Sequence, residues 1–184
     1  LKQKNCLNRI IFTKNRGNLI ETNIDLKKGN VIVLKGLSGS GKSSLLDDFT
    51  GINFCPNSKW SLYFNNEKRI INSYSKDLKH FISYTPQETK LFEASLVENI
   101  FLRSNCVNIQ NIKTVEKWFQ VLNMDYLTKK NYFYREKLKL TTDKFSYGEI
   151  RRIGLIRNWV NDYPIEILDE PCAYLDEFTS NLVI

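Results

Sequence analysis

The stretch GLSGSGKS, residues Gly36 to Ser43, combines flexible glycines with a lysine and a hydroxyl side chain. It matches the pattern GxxxxGK[ST], whose glycines let backbone amides turn toward phosphate oxygens while the following helix adds partial positive charge. Lys42 would reach the β- and γ-phosphates, and the Ser43 hydroxyl would ligate Mg²⁺. A chance match in a flexible turn is on the order of one in a hundred. We therefore expect nucleotide contacts from Gly36, Leu37, Ser38, Gly39, Ser40, Gly41, Lys42, Ser43 and Ser44.

A second pair of reactive groups, Asp169 and Glu170, follows the short apolar run Ile165–Leu168. This run is typical of a strand, and parallel α/β sheets bind ligands at the carboxyl ends of their strands. Asp169 would help to hold the metal, and Glu170 would orient or deprotonate an attacking water. Taken alone, these residues could be a polar strand end broken by Pro171. The phosphate loop favours the catalytic interpretation.

The stretch FSYGEIRR, residues 145–152, has the pattern of a helix start. Ser146 is followed three residues later by Glu149, so the two side chains can cap each other's backbone amides. The free amides of a capped helix end point outward, and the helix dipole favours negative charge there. These residues can therefore also form an anion site.

Several patterns predict the elements that position these groups. Polar and apolar residues alternate over Ile20–Leu26, as in a half-buried strand, and Val31–Leu34 is continuously apolar, as in a strand covered on both faces. A helix should begin near Ser43 and end near Gly51. Residues 61–70 have the pattern of a hairpin, and residues 80–84 that of a further strand.

The middle of the chain is predicted to be helical. Residues 95–101 have the pattern of a helix, and helical spacing also relates Ile112, Val115, Phe119 and Leu122. A mainly helical region from about 93 to 160 thus lies between strand-bearing flanks. This order predicts an α/β fold.

Composition excludes several other classes of protein. The 184 residues suffice for one domain, and no apolar run is long enough to cross a bilayer. The four cysteines are scattered and His80 is the only histidine, so we expect no zinc site. The net charge of +7 comes from dispersed lysines, so we do not expect nucleic acid as a partner. The chain lacks both a secretory pattern and an initiator methionine, and we expect it to be a piece of a longer protein.

The order of these motifs resembles that of the ATP-binding-cassette ATPases over nearly the whole chain. The resemblance implies a P-loop NTPase (RecA-like) core with a mixed β-sheet over residues 1–92 and 161–184, and an inserted helical subdomain over about 93–160. Residues 145–149 occupy the places of the family's signature motif, followed by the basic residue Arg152. In the family, the serine and glycine matching Ser146 and Gly148 contact the γ-phosphate of ATP bound by a second copy. The resemblance thus implies a head-to-tail dimer.

Two further motifs extend the resemblance. Gln87 in YTPQE stands where the family has a glutamine that contacts magnesium and water, and Asp176 in AYLD stands where it has its D-loop aspartate. Tyr147 and Glu149 depart from the signature pattern. The negative charge of Glu149 near a triphosphate should weaken dimer closure unless Arg151 or Arg152 offsets it, so we expect slow turnover.

The resemblance also implies a membrane setting. The stretch TPQETKLFEASLVENI resembles the exporter branch, in which this domain follows a transmembrane domain at the cytoplasmic side of the cell membrane. The family's switch histidine lies on the strand after the catalytic glutamate, beyond Ile184, and His80 cannot replace it. We therefore expect the 184 residues to bind ATP and to hydrolyse it poorly.

The adenine contact and the three tryptophans are less specific. Phe12 is the nearest candidate to stack on adenine, although short apolar runs more often supply strand core. We expect Trp60, Trp118 and Trp159 to lie in the core or at an interface.

Three functions compete with a transport ATPase. A soluble cassette ATPase acting on DNA or ribosomes usually carries long insertions or tandem cassettes, which are absent from these residues. A regulatory nucleotide-binding module with little turnover is opposed by Glu170, although Tyr147 and Glu149 leave it open. A small-molecule kinase would explain the phosphate loop and leave the motifs after residue 145 unexplained.

Overall fold

The computed structural model describes residues 7–16, 19–53, 56–65, 67–72, 77–102, 109–134, 138, 145–161 and 163–183. The chain divides into two compact units. Unit 1 comprises Leu1–Ser83 with Tyr163–Ile167, and unit 2 comprises Tyr84–Asp162 with Leu168–Ile184. No helix among the described residues combines the length and apolar character that crossing a membrane requires.

Unit 1 contains a four-stranded antiparallel sheet with the strand order β2-β1-β3-β4. Its strands are β1 (Leu7–Arg16), β2 (Leu19–Lys27), β3 (Ser58–Phe64) and β4 (Lys68–Asn72). The alternating pattern of β2 and the hairpin of β3 and β4 are thus confirmed. Helix α1 (Lys42–Thr50) begins after Gly41 and ends at Gly51, as predicted.

The core of unit 1 is aromatic. Phe12 and Trp60 face each other across β1 and β3 and are fully buried. The ring of Phe12 packs against those of Phe49 and Trp60, with centroids 5.3 and 5.1 Å apart. The Trp60 indole N–H donates to the Phe49 carbonyl over 2.9 Å, so its polar atom is satisfied inside the core. Trp60 therefore lies in the core, as expected.

The prediction of a strand at Val31–Leu34 was wrong. These residues have no strand structure, and Val31 and Val33 are 88% and 68% exposed. A strand requires a neighbour that completes its ladder of hydrogen bonds. None of the described strands pairs with this segment, so its β-branched composition alone does not make it a strand.

A parallel pair of strands, β5 (Ile82–Thr85) and β6 (Ile165–Leu168), carries the predicted catalytic carboxylates at its carboxyl end. The amide of Ile165 donates to the Phe81 carbonyl, and the amide of Asp169 to that of Thr85. The two bonds advance together along both strands, which makes the pairing parallel. Both strands were predicted from their apolar runs.

Unit 2 is built around helices. They are α2 (Leu96–Phe101), α3 (Ile109–Val121), α4 (Asn131–Tyr134), α5 (Tyr147–Val160) and α6 (Glu177–Val183). Val115, Phe119 and Leu122 are fully buried, which confirms the predicted helical spacing. Leu96, Ile100, Met124, Phe133 and Ile153 complete the centre of the same cluster. Trp118 and Trp159 pack against it with their rings 4.7 Å apart.

Candidate nucleotide site

The phosphate loop lies in unit 1, between Leu34 and α1. Gly39 and Gly41 have φ angles of 76° and 86°, a region that favours glycine, and so let the loop turn sharply into the helix. The loop from Gly36 to Gly41 is exposed. The Lys42 ammonium donates to the carbonyls of Gly36 and Leu37, each over 2.9 Å. A phosphate would compete with these two neutral acceptors for the same cation.

In unit 2, the segments after β5 and β6 bring Gln87, Asp169 and Glu170 together. The Gln87 side-chain amide donates to the Glu170 carboxylate over 2.7 Å. The Tyr84 hydroxyl lies 3.4 Å from the Asp169 carboxylate. Glu170 has a φ of 48°, an unusual value for a residue other than glycine. Such backbone conformations are concentrated at functional sites, where the surrounding structure holds them in place.

The donor set of these residues suits Mg²⁺. Within unit 2, Asp169 offers a carboxylate and Gln87 an amide carbonyl, both hard oxygen ligands; in unit 1, Ser43 offers a hydroxyl of the same ligand type. Gln87 points its nitrogen at Glu170, so its carbonyl oxygen is the atom left for a cation. The chemistry of Asp169 and Gln87 in unit 2 therefore fits the metal.

Arg151 in α5 contacts the backbone beside Gln87, Asp169 and Glu170, a role that the sequence did not reveal. Its side chain is buried, and it donates to the carbonyls of Pro86, Gln87, Asp169, Glu170 and Pro171. Burial lowers the pKa of its guanidinium, while the nearby Asp169 carboxylate opposes that effect. Of the two arginines that could offset the charge of Glu149, Arg151 instead directs its guanidinium to these carbonyls.

The start of α5 forms the predicted capping box. The Ser146 hydroxyl accepts from the Glu149 amide over 3.2 Å, and the Glu149 carboxylate accepts from the Ser146 amide over 2.6 Å. Burial acts to raise the pKa of Glu149, but hydrogen bonds from Tyr126 and Ser146 outweigh it, and the pKa lies below its ordinary value. An anionic side chain therefore already occupies this helix end.

The residues around Gly148 approach the segment that follows β6. A Cβ on Gly148 would lie 2.9 Å from the Tyr174 carbonyl oxygen, so a larger residue there would displace backbone. The exposed rings of Tyr147 and Tyr174 stack, with centroids 5.5 Å apart and planes inclined by 29°. Both aromatic side chains thus lie on the surface beside Ser146.

Asp176 caps α6 and pairs with α5. Its carboxylate accepts from the Thr179 amide and hydroxyl, each over 2.8 Å, and from the Arg152 guanidinium. The Thr179 hydrogen bonds, with a smaller contribution from Arg152, lower the pKa of Asp176 to about 2. Arg152 also lowers the pKa of Glu149, so the expected compensation of that charge comes from Arg152.

The structure thus brings together two groups of predicted residues within unit 2. Phe12 and His80 belong to neither group. Gln87, Asp169 and Glu170 form one group. Ser146, Gly148 and Asp176 form the other. Phe12 is enclosed by core rings, which argues against its stacking on adenine. His80 is exposed, so of the surface and core roles open to it the structure favours the surface role.

Three motifs occur in the order expected of the nucleotide-binding ATPases. They are the phosphate loop, the capped start of α5 and the carboxylates after β6. Residues 19–173 match the ABC transporter family, so the chain belongs to that family. The expected family and α/β fold are confirmed.

The relatives include ATP-binding proteins and longer ATP-binding/permease proteins. The chain is 28% identical over 166 residues to a probable ABC transporter ATP-binding/permease protein of Haemophilus influenzae, covering 90% of this chain and 29% of that protein. It is 28% identical to the lipoprotein-releasing system ATP-binding protein LolD of Ehrlichia ruminantium, covering 88% of this chain and 69% of LolD. It is 32% identical to the glutathione/L-cysteine transport system ATP-binding/permease protein CydD of Bacillus subtilis, covering 84% of this chain and 26% of CydD.

A solved structure shares the fold. A bacterial Atm1-family ABC exporter with ATP bound superposes with a TM-score of 0.71 at 19% sequence identity. The match covers 95% of this chain and 31% of that one. The chain thus spans about a third of the length of this exporter and of the Haemophilus protein.

Proposed function

We propose that this chain binds and hydrolyses ATP to drive transport of a substrate across a membrane. Membership of the ABC transporter family supports the transport setting. The hydrogen bond between Gln87 and Glu170 is the observation that carries the hydrolytic part, because it gathers a water-orienting amide and a general base. The partner would be a transmembrane domain, with this chain at the cytoplasmic side.

Each group has a defined task in this proposal. In unit 1 the loop amides and Lys42 would bind the phosphates and Ser43 would offer its hydroxyl to Mg²⁺; in unit 2 Asp169 and Gln87 would offer Mg²⁺ a carboxylate and an amide carbonyl. When bound, Mg²⁺ neutralises charge that develops on the phosphate oxygens. Glu170 takes a proton from the attacking water, which Gln87 helps to orient.

The proposed dimer is head to tail. The phosphate loop of each copy would face Ser146 and Gly148 of the other, so that two nucleotides are enclosed in a self-complementary interface. Nucleotide can favour the closed state only by the affinity that it gains there. The exposure of Ser146 and the helix dipole at the start of α5 support this arrangement, while the Glu149 carboxylate at the same helix end opposes it.

A low-turnover regulatory module is the second candidate. The observation that favours it is the Glu149 carboxylate, which occupies the helix end that would receive the partner's phosphate. Such a module would bind ATP without closing efficiently.

Sedimentation at saturating Mg-ATP tests the proposal with three matched chains. We expect Glu170→Gln to form an ATP-bound dimer and to lose hydrolysis, and Lys42→Ala to bind no ATP and stay monomeric. The unchanged chain should cycle between the two states. A Glu170→Gln chain that binds ATP and remains monomeric would contradict the dimer mechanism and favour the regulatory module.

A further inference from the structure

Arg151 connects two segments that carry proposed site residues. Its guanidinium donates over 3.3 Å to the Gln87 carbonyl and also to the Pro86 carbonyl, both after β5. It donates over 2.7 Å to the Glu170 carbonyl and also to the Asp169 carbonyl, both after β6. One side chain of α5 therefore holds the backbone on both sides of the pair Gln87 and Glu170.

The chemistry of this contact points to a geometric role. Arg151 is only 2% exposed, and all its hydrogen-bond acceptors among the described residues are neutral carbonyls. Burying a cation without a carboxylate hydrogen-bonded to it is a poor way to gain stability. The planar guanidinium offers five donors in a rigid fork, which a lysine cannot reproduce.

The carbonyls that Arg151 contacts determine the backbone at Glu170. The Asp169 carbonyl belongs to the peptide group before the Glu170 Cα, and the Glu170 carbonyl belongs to the group after it. Holding both groups sets the two backbone dihedrals between them, including the φ of 48°. That conformation directs the Glu170 carboxylate to the Gln87 amide.

We propose that Arg151 is a positioning residue that fixes the segment bearing Gln87 against the segment bearing Asp169 and Glu170. The inference rests on the proposed function for its role in nucleotide chemistry. Asp169 and Gln87 are proposed metal ligands, so their correct placement should appear as the gain in ATP affinity that Mg²⁺ provides. The phosphate loop makes no part of this contact, so affinity for ATP without metal should be preserved.

The test compares Arg151→Lys and Arg151→Gln with the same two substitutions at Arg157. Arg157 is a matched control because it lies in the same helix and donates over 3.0 Å to the carbonyls of Asn99 and Lys90. ATP affinity is measured in EDTA and in Mg²⁺, together with thermal unfolding. Hydrogen exchange is followed at residues 85–90 and 169–176.

Both Arg151 variants should lose about tenfold in Mg-ATP affinity, the usual effect of removing a group that orients metal ligands, and little in metal-free affinity. They should also exchange faster in both segments. The Arg157 variants should lose thermal stability and keep the gain from Mg²⁺.

Several results would overturn the inference. Arg151→Lys with normal exchange and normal Mg-ATP affinity would show that charge alone suffices. Equal losses in the Arg151 and Arg157 variants would reduce Arg151 to a structural residue. An unchanged chain that binds no ATP would refute the proposed function, while hydrogen exchange would still decide whether Arg151 holds the two segments.

Discussion

The Gln87 amide nitrogen lies 2.7 Å from the Glu170 carboxylate oxygen, joining the residues after β5 to those after β6. The donor holds the carboxylate in place without adding charge. The pair therefore places a hydrogen-bonding group beside the proposed base.

Replacing Gln87 by alanine should slow hydrolysis more than it weakens ATP binding. Glu170 would keep its carboxylate but lose the group that orients it and the attacking water. We expect single-turnover hydrolysis to fall about a hundredfold, the lower range for acid–base positioning effects. Quenched-flow assays and equilibrium ATP binding on the same preparation measure the two effects. An equal loss in both would show that Gln87 acts mainly in binding.

Replacing Glu149 by glutamine should strengthen ATP-dependent dimerisation. Glutamine can retain the capping box while removing the negative charge from the helix end. We expect dimer affinity to rise about threefold, since a charge at a helix terminus contributes about 0.3–1 kcal/mol. Sedimentation in a Glu170→Gln background provides the measurement.

Glu98→Gln is the control for this prediction. Ser95 and Glu98 form a second capping box, at the start of α2. The same substitution there should leave dimerisation unchanged. Equal gains from the two substitutions would rule out a local effect at α5.

Asp176 should make the protein less stable in acid. Its pKa is about 2 in the folded chain, below the value of about 3.9 for a free aspartate. The unfolded chain therefore binds more protons between these values, and the stabilisation present above pH 4 is lost as pH falls toward 2. Urea unfolding of Asp176→Asn should show a shallower pH dependence over that range. Identical slopes for the two chains would contradict this assignment.

Replacing Phe12 by leucine should lower stability without changing nucleotide preference. The ring is buried between Phe49 and Trp60, so the change leaves a cavity that should cost about 1–3 kcal/mol. The ratio of ATP to GTP affinity should stay constant, because no face of the ring is exposed to a base. A selective loss of ATP affinity would restore Phe12 as the adenine contact.

Local patterns predicted much of the fold because their causes are local. The capping box of Ser146 and Glu149 lies within one helical turn, and the alternation over β2 directly reports a half-buried strand. The apolar run Val31–Leu34 failed because pairing depends on a distant neighbour. Its composition carries no information about that neighbour.

The candidate site was predictable only in its motifs. Gln87, Asp169 and Glu170 could each be recognised from the residues beside them. Arg151 could not, since its five acceptors are backbone carbonyls from segments far away in the sequence. Every residue has a backbone carbonyl, so residue types do not indicate which carbonyls will accept hydrogen bonds from such a side chain.

Arg151 lies five positions after Ser146, a rise of about 7.5 Å along a helix. A ligand that displaces the first turn of α5 would therefore also displace the Arg151 guanidinium and the Asp169 and Glu170 carbonyls that it contacts. In the proposed dimer, nucleotide bound by one copy would contact the start of α5 in the other copy. Its binding would therefore change the position of Glu170 in that second copy. ATP hydrolysis at the two sites would then be coupled through the rigidity of the first turns of α5.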